Sequence, residues 1–271
     1  MVHEPMVLAR LFDRAVRASE YSWGELAELF EVKRGPLGAV LPVGSLEQHG
    51  PHLPLGTDFY IAEGVAAHLA MNLWETGNGG ALVLPSVQYA PCPGCETVAG
   101  TASISFDVFG GLVQNVLNGA LNGTPWDFLV IVNQHSHNEG RLFESCVWAR
   151  KAYGDIPVVL VNCYRELDSE AHSEICFGSH AGELEIALMH YYYGHVPSSG
   201  DVSDSAVVPR AYGVFGLDVM RRSFGGAIAD RPPRPEVAVQ NAGKLGQSLD
   251  RAVLGRVTSA LECYDAYWKN G

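Results

Sequence analysis

Four short apolar runs, separated by segments with helical spacing, constrain the fold of this 271-residue chain more than any other feature. The runs lie at residues 37–41, 81–84, 126–132 and 157–161. They lack the strict alternation of apolar and polar residues that is typical of a strand with one face in water. Strands of this kind need helices on both faces, as in a largely parallel sheet. The sequence therefore predicts an α/β fold with a mostly parallel central sheet.

The segments around the apolar runs predict the helices that would cover this sheet. Their apolar residues recur at the three- and four-residue spacing of an α-helix. This spacing predicts helices over residues 5–18, 23–30, 59–73, 107–121 and 141–153, one that follows residues 180–185 and reaches about residue 193, and one over residues 236–268. Residues 198–235 are predicted to be rich in loops. Because the chain has no internal repeat or long linker and is 47% hydrophobic, we expect residues 1–271 to form a single domain.

The charge balance excludes some classes of partner. The chain has 18 basic and 30 acidic residues, which give a formal net charge of −12, and it has no basic run. Nucleic acid and anionic membranes are therefore not expected partners. The first 21 residues lack the apolar segment of a secretory signal, and no apolar run is long enough to span a membrane. We expect a soluble, cytoplasmic protein.

Polar side chains follow the first apolar run, in a loop rich in glycine and proline. Glu47 and His49 are two residues apart, so in extended backbone both side chains leave on the same face. Asp58 follows two prolines and two glycines, which can turn the chain back towards that pair. Two carboxylates and an imidazole at the end of a buried strand suit a divalent metal. Taken alone, so short a motif more often belongs to a surface loop in which these side chains cap backbone groups.

A second polar cluster follows the third apolar run. His135 and His137 repeat the spacing of two residues, and Glu139 lies beside them. The carboxyl ends of parallel strands share one edge of a sheet, where such folds place their ligand sites. One histidine there could simply bond to a carbonyl group. Two histidines that face the first cluster instead favour a site with nitrogen and oxygen ligands for two divalent ions, of zinc, manganese or iron.

The chain has six cysteines, and Cys92 and Cys95 form a C-x-x-C motif. A redox pair of this kind normally opens a helix after a strand, whereas this one lies in a proline-rich loop. No second C-x-x-C completes a zinc knuckle. The motif therefore favours structural or substrate-contacting cysteines over redox chemistry.

Residues 41–58, with the sequence LPVGSLEQHGPHLPLGTD, closely resemble the signature of the creatininase (creatinine amidohydrolase) family. Residues 100–101, 133–138 and 180–185 resemble later blocks of that family in the same order. The resemblance covers about residues 37–189. It implies an α/β/α sandwich, commonly a homohexamer, with a two-metal site that hydrolyses amide or cyclic amide C–N bonds.

The resemblance also implies roles for individual residues. Glu47 and His135 would hold one metal and His49 the other, with Asp58 as a bridge between them. The family's remaining ligand to the second metal, a glutamate, falls at the position of His137.

Some relatives have glycine at that position, and Glu183 would then be the substitute, so both His137 and Glu183 stay candidates. By the same resemblance His180 is the catalytic histidine, which would protonate the leaving group, and Glu185 is its acidic partner.

The chain departs from the family pattern at the expected rim of the pocket. Gln134 and Ser136 replace the usual glycines, and Cys95 precedes the Gly-Thr turn where a histidine is common. We expect these three residues to contact a substrate other than creatinine itself.

The sequence therefore predicts a metal-dependent amidohydrolase that uses a metal-activated hydroxide. Two alternatives stay open at this point. One is a metal-dependent hydrolase, isomerase or lyase that acts on a polyhydroxylated cyclic ketone, and the other is a non-catalytic binding protein, which would require lost ligands.

Overall fold

The computed structural model describes residues 16–77, 79–154, 156–175, 180–196 and 233–265. Its strands form one four-stranded sheet of order β2-β1-β3-β4, in which every neighbouring pair is parallel. The strands are β1 (Leu37–Val43), β2 (Gly80–Val83), β3 (Phe128–Asn133) and β4 (Val158–Asn162). Each of the four apolar runs is a strand of this sheet, so the predicted fold class is confirmed.

Six α-helices surround the sheet in the part of the chain that the structure describes. They are α1 (Trp23–Val32), α2 (Thr57–Thr76), α3 (Phe106–Asn122), α4 (Glu139–Tyr153), α5 (Glu183–Tyr193) and α6 (Pro235–Tyr264). The start of α1 is a capping box, because Ser22 Oγ accepts from Glu25 N while the Glu25 carboxylate accepts from Ser22 N. Gly77 and Gly194 end α2 and α5 in the left-handed conformation that favours glycine.

Two predicted segments lie mainly outside the described residues. Residues 5–15 of the first predicted helix are among them, and the described residues 16–20 form short 3₁₀ turns and a bridge between Arg17 and Val83 instead of an α-helix. Most of the predicted loop-rich stretch, residues 197–232, is also outside. Among the described residues, no helix combines the length and apolarity needed to cross a membrane.

The sheet separates two hydrophobic cores. On one face, Val40 of β1 and Val130 of β3 pack with α2, α5 and α6. On the other face, Leu41 and Ile131 pack with α3 and α4. Successive residues of a strand point to opposite faces, so a continuous apolar run supplies both cores at once. This explains why the runs lack alternation.

Helix α6 is held against α2 and α5 by close packing and by a largely buried carboxylate. Asp250 accepts hydrogen bonds from Tyr191 at 2.9 Å, from Tyr192 at 2.7 Å and from His68 Nδ1 at 2.8 Å. Gly246, one turn earlier, lies against the ring of Tyr191, where an added Cβ would be only 2.1 Å from Cδ1. The absence of a side chain at Gly246 is what allows the two helices to approach.

Two glycines on α6 give a matched test of this packing. Gly246→Ala should lower the free energy of unfolding by about 1–3 kcal/mol, because the new methyl group must displace the Tyr191 ring. Gly243→Ala should raise it by about 0.5–1 kcal/mol, because Gly243 has open space around it and alanine is the better helix former. Urea denaturation measures both, and equal effects of the two changes would contradict the close packing.

Candidate metal centre

The two polar clusters meet at the carboxyl edge of the sheet. The last residues of β1 and β3, Val43 and Asn133, are register partners, and Gln134 N donates to the Val43 carbonyl at 3.1 Å. Asn138 Nδ2 then donates to the Gly44 carbonyl at 3.1 Å. These bonds fix the loops after the two strands side by side. The structure therefore brings the two predicted clusters together at this edge.

Asp58 is the centre of the cluster. It lies in the first turn of α2 rather than in the loop that precedes it, and only 2% of its surface is exposed. Its Oδ2 accepts from Ser45 Oγ at 2.7 Å and from His135 Nδ1 at 2.9 Å, and its Oδ1 lies 3.3 Å from His49 Nε2. A carboxylate with one oxygen towards each of two imidazoles has the arrangement of a bridging ligand.

His49 is oriented by its own loop. Its Nδ1 donates to the Glu47 carbonyl at 2.9 Å, which leaves Nε2 to face the cluster. The buried Nε2 has no hydrogen-bond partner among the described residues, and neither has Oε2 of Glu185, 3.9 Å away. Buried polar atoms are costly without partners. A cation between this nitrogen and this oxygen would satisfy both, so the residues fit a metal.

Glu47 and His135 complete the other side of the cluster. Glu47 is buried, and its Oε2 lies 3.4 Å from His135 Nδ1. The opposite ring nitrogen of His135 bonds to the Pro91 carbonyl at 2.9 Å, which fixes the ring and directs Nδ1 towards the two carboxylates.

Charge coupling holds this group of side chains together. Burial opposes the charge on Asp58, but His49 and the hydrogen bond from His135 outweigh burial and hold the pKa of Asp58 well below its usual value. Burial lowers the pKa of His49, yet Asp58 and Glu185 outweigh it and raise that pKa to about 10. Burial also raises the pKa of Glu185 to about 7. Ligands give up such protons when a metal binds.

His180 lies beside the cluster, on the loop that leads into α5. Its Nε2 donates to the Gln48 carbonyl at 2.6 Å, and its ring centroid is 4.4 Å from that of His49. Burial, and next the neighbouring His49, lower the pKa of His180. Glu185 faces His49 rather than bonding to His180. Donor atoms of His49, His180 and Glu185 all lie within 4.8 Å of one another, so they form one group that could hold a metal.

The backbone after His180 is strained and held by a side chain of the first cluster. Ala181 has a φ of +55°, in the left-handed region that residues other than glycine rarely adopt. His52 Nε2 bonds to the Ala181 carbonyl at 2.9 Å. This contact fixes the start of the segment that carries His180 and Glu185, and it gives His52 a positioning role.

The two residues expected to complete the second metal are placed differently. The Glu183 carboxylate accepts three hydrogen bonds from Arg234, at 2.8–3.0 Å, and so pairs α5 with the start of α6. The ring of His137 lies 5.1 Å from that of His135, and burial, and next His135, lower the pKa of His137 to about 4. Neither residue belongs to the donor groups that the described residues form, whereas Glu185 does.

The expected substrate contacts lie around the same edge. Gln134 is buried directly after β3, Ser136 begins the 3₁₀ turn Ser136–Asn138, and Cys95 is buried beside Gln48 Nε2 at 3.7 Å. Cys95 also forms a possible donor group with Glu47 and His180. Glu139 accepts a hydrogen bond from Arg165 at 2.6 Å and belongs to none of the donor groups among the described residues.

Two residues of the centre were not predicted from the sequence. Ser45 precedes Glu47 by two residues, so the same spacing argument that paired Glu47 with His49 would have included it. Cys92 forms a possible donor group with Glu47 and His135, and its only signal was the C-x-x-C motif.

Comparisons with known proteins agree with this architecture. The family model Creatininase, described as creatinine amidohydrolase, matches residues 19–244. A creatinine amidohydrolase of Pseudomonas putida is 27% identical over 237 residues, which cover 80% of this chain and 87% of that protein. A mycofactocin precursor peptide peptidase of Mycolicibacterium smegmatis is 37% identical over 99 residues, which cover 36% of this chain. The match spans only 39% of that peptidase's length.

Solved structures show the same fold. A crystal structure of creatinine amidohydrolase (creatininase) aligns with a TM-score of 0.70 and 22% identity, over 90% of this chain and 97% of that chain. Other similar structures are described as creatininase with Mn and as a creatininase mutant of Zn-Zn type, with TM-scores of 0.68 and 0.64.

The two glutamates of α5 can be separated by matched substitutions. Glu183→Gln should lower the free energy of unfolding by about 1–2 kcal/mol, a modest loss because the Arg234 side chain is 35% exposed. It should leave the metal content of the purified protein unchanged. Glu185→Gln should instead lower the metal content. Loss of metal in the Glu183 variant alone would contradict the placement of these two carboxylates.

Proposed function

This chain belongs to the creatininase family, and on that premise we propose that it is a metal-dependent amidohydrolase that cleaves an amide or cyclic amide C–N bond of a small polar substrate. The observation that carries the proposal is Asp58, which is buried between the imidazoles of His49 and His135 at the carboxyl edge of the sheet. Nitrogen and oxygen donors in this arrangement suit two divalent ions that share a carboxylate.

Each proposed metal position has its own donors. We assign Glu47, His135 and one oxygen of Asp58 to the first, because the Glu47 and Asp58 oxygens lie 3.4 and 2.9 Å from His135 Nδ1. The second takes His49, the other oxygen of Asp58 and Glu185.

The carboxylate of Glu185 is preferred over the two earlier candidates because its Oε2, which makes no hydrogen bond among the described residues, lies 3.9 Å from His49 Nε2. His137 stays beside the first position, and Glu183 serves the ion pair with Arg234.

Zinc or manganese ions held there would lower the pKa of water towards neutrality and polarise the carbonyl group of the substrate. The remaining work falls to side chains. Ser45 Oγ holds the Asp58 carboxylate in place through its 2.7 Å hydrogen bond. The pocket rim is assigned to Gln134, Ser136 and Cys95, whose polar groups would orient the substrate.

His180 is the proposed general acid. Its ring lies against that of His49, so it adjoins the position where the substrate's C–N bond would be held. When the C–N bond breaks, the leaving nitrogen needs a proton, and an imidazole can deliver one near neutral pH. The strained Ala181 and the bond from His52 would keep this ring in place.

Further expectations follow from the family resemblance. The protein would act in the cytoplasm as a homo-oligomer, a hexamer by analogy, on a small molecule rather than on nucleic acid or a membrane. Exposed apolar side chains on two neighbouring helices, Leu112 of α3 and Phe143 of α4, support self-association.

Metal content is the direct test of the shared carboxylate. The purified protein should carry about two equivalents of divalent metal, and Asp58→Asn should lose both, because the amide no longer bridges as an anion. Asp107→Asn changes an exposed carboxylate and should keep both equivalents. Elemental analysis by mass spectrometry gives the counts. A wild-type protein that contains no metal would refute the proposal.

Activity should respond to His180 without a change in the metals. His180→Gln should lower kcat by at least about 100-fold on the best substrate in a panel of cyclic amides, formamides and short peptides. Its metal content should equal that of the wild type, and His190→Gln, on α5, should be fully active.

Turnover in ¹⁸O-labelled water identifies the reaction type. The label should enter the carboxyl product of hydrolysis, and a product formed without label would instead mark an isomerase or a lyase.

A further inference from the structure

We propose that Cys92 is a thiolate ligand of the metal position formed by Glu47, Asp58 and His135. This inference rests on the proposed function, because it requires a metal at that position. A thiolate is absent from the set of nitrogen and oxygen ligands expected from the family resemblance. It would make this position softer than the one formed by His49 and Glu185.

The first support is the convergence of donor atoms. Cys92 Sγ, a carboxylate oxygen of Glu47 and a ring nitrogen of His135 all lie within 4.8 Å of one another, and all three residues are buried. Asp58 adds a further oxygen, 2.9 Å from His135 Nδ1. Two carboxylates, an imidazole and a sulfur would together offer donors that suit a zinc ion.

The second support is that the carboxylates beside the sulfur are themselves linked. The Ser45 hydroxyl lies 2.7 Å from Asp58 Oδ2 and 3.5 Å from Glu47 Oε2. Because Glu47 also belongs to the donor group of Cys92, the sulfur lies in the same buried group as the proposed ligands rather than in a separate apolar pocket. The nearby buried Nε2 of His49 makes no hydrogen bond among the described residues, which independently supports a cation in this group.

The third support is that the loop holds Cys92 in place. Cys92 N donates to Ser103 Oγ at 2.9 Å, and the Cys95 amide donates to the Cys92 carbonyl at 3.0 Å. The neighbouring Pro91 carbonyl bonds to His135 at 2.9 Å. One short segment thus orients the imidazole through its backbone and presents a sulfur to the same position.

Coordination would change the chemistry of this thiol. In the present arrangement Cys92 Sγ donates to the Ala90 carbonyl at 3.5 Å. A bound divalent ion would take the place of the thiol proton, which would leave to solvent. Thiolate ligands favour zinc, whereas manganese prefers oxygen. Cys92 would therefore select zinc over manganese at this position, and the other position would lack that preference.

Cobalt substitution tests the sulfur–metal bond without an assay of activity. Loaded with Co²⁺, the full-length protein should show a thiolate-to-cobalt charge-transfer absorption in the near ultraviolet, besides the weaker visible bands of the bound ion. Cys92→Ser should lose the charge-transfer absorption and keep the visible bands. Cys95→Ser and Cys146→Ser should keep both, since Cys146 is a buried thiol outside the donor groups.

The outcomes separate this inference from the proposed function. Cobalt binding without charge transfer in the wild type, or charge transfer that persists in Cys92→Ser, would overturn the thiolate ligand and leave the two-metal proposal standing. If the charge-transfer absorption is lost only in Cys95→Ser, the sulfur ligand is Cys95, which would contradict our proposal. No cobalt binding at all would refute both proposals together.

Competition between zinc and manganese supplies a second readout. Cys92→Ser should lower the preference for zinc over manganese by at least about tenfold, and Cys146→Ser should not change it. An unchanged preference in the Cys92 variant would contradict the sulfur ligand even if the variant folds and binds metal normally.

Discussion

The parallel pairing of β1 with β3 is the constraint on which the centre depends. These strands are far apart in sequence, yet Val43 and Asn133 end level with each other in the middle of the sheet. Two loops that each carry only part of a ligand set are therefore brought to one edge. The apolar residues of both strands feed cores on both faces, so a shift in register would disturb the cores as well as the ligands. The packing of the two cores thus fixes the strand register and, with it, the positions of the polar groups.

The sequence predicted what depends on local pattern and on strand ends. Apolar runs located all four strands, and spacing of two residues paired Glu47 with His49. The placement of Glu185 in a donor group with His49, instead of the expected candidates His137 and Glu183, could not be predicted this way. Glu183 and Glu185 are two positions apart on α5, so their side chains point in very different directions. Which of them faces the site depends on Arg234, which lies 51 positions from Glu183 in the chain. No sequence pattern within α5 indicates that contact.

The residues that distant loops contribute to the site could not be predicted from the sequence either. The segment that carries Pro91 and Cys92 follows β2, the edge strand next to β1. It nevertheless reaches the centre, where the Pro91 carbonyl bonds to His135. A C-x-x-C motif in a proline-rich loop carries no information about where that loop will pack. Asp58 was predicted to be a ligand, but its place in the first turn of α2 was not predicted. The glycine and proline residues before it mark a turn without stating where the helix starts.

The buried charges explain why such a site is built on a rigid sheet edge. Asp58, Glu47 and Glu185 are removed from water, and they raise the pKa values of His49 and His135, so imidazolium groups there would balance part of their charge. Burial of ions is costly unless each has a partner of opposite charge at short range. Divalent cations would meet that need with more charge in less space than two imidazoliums can. Affinity for metal then adds to the stability of the folded chain, because the unfolded chain cannot assemble these ligands. The same buried negative charge that opposes folding would therefore also allow the cluster to bind metal.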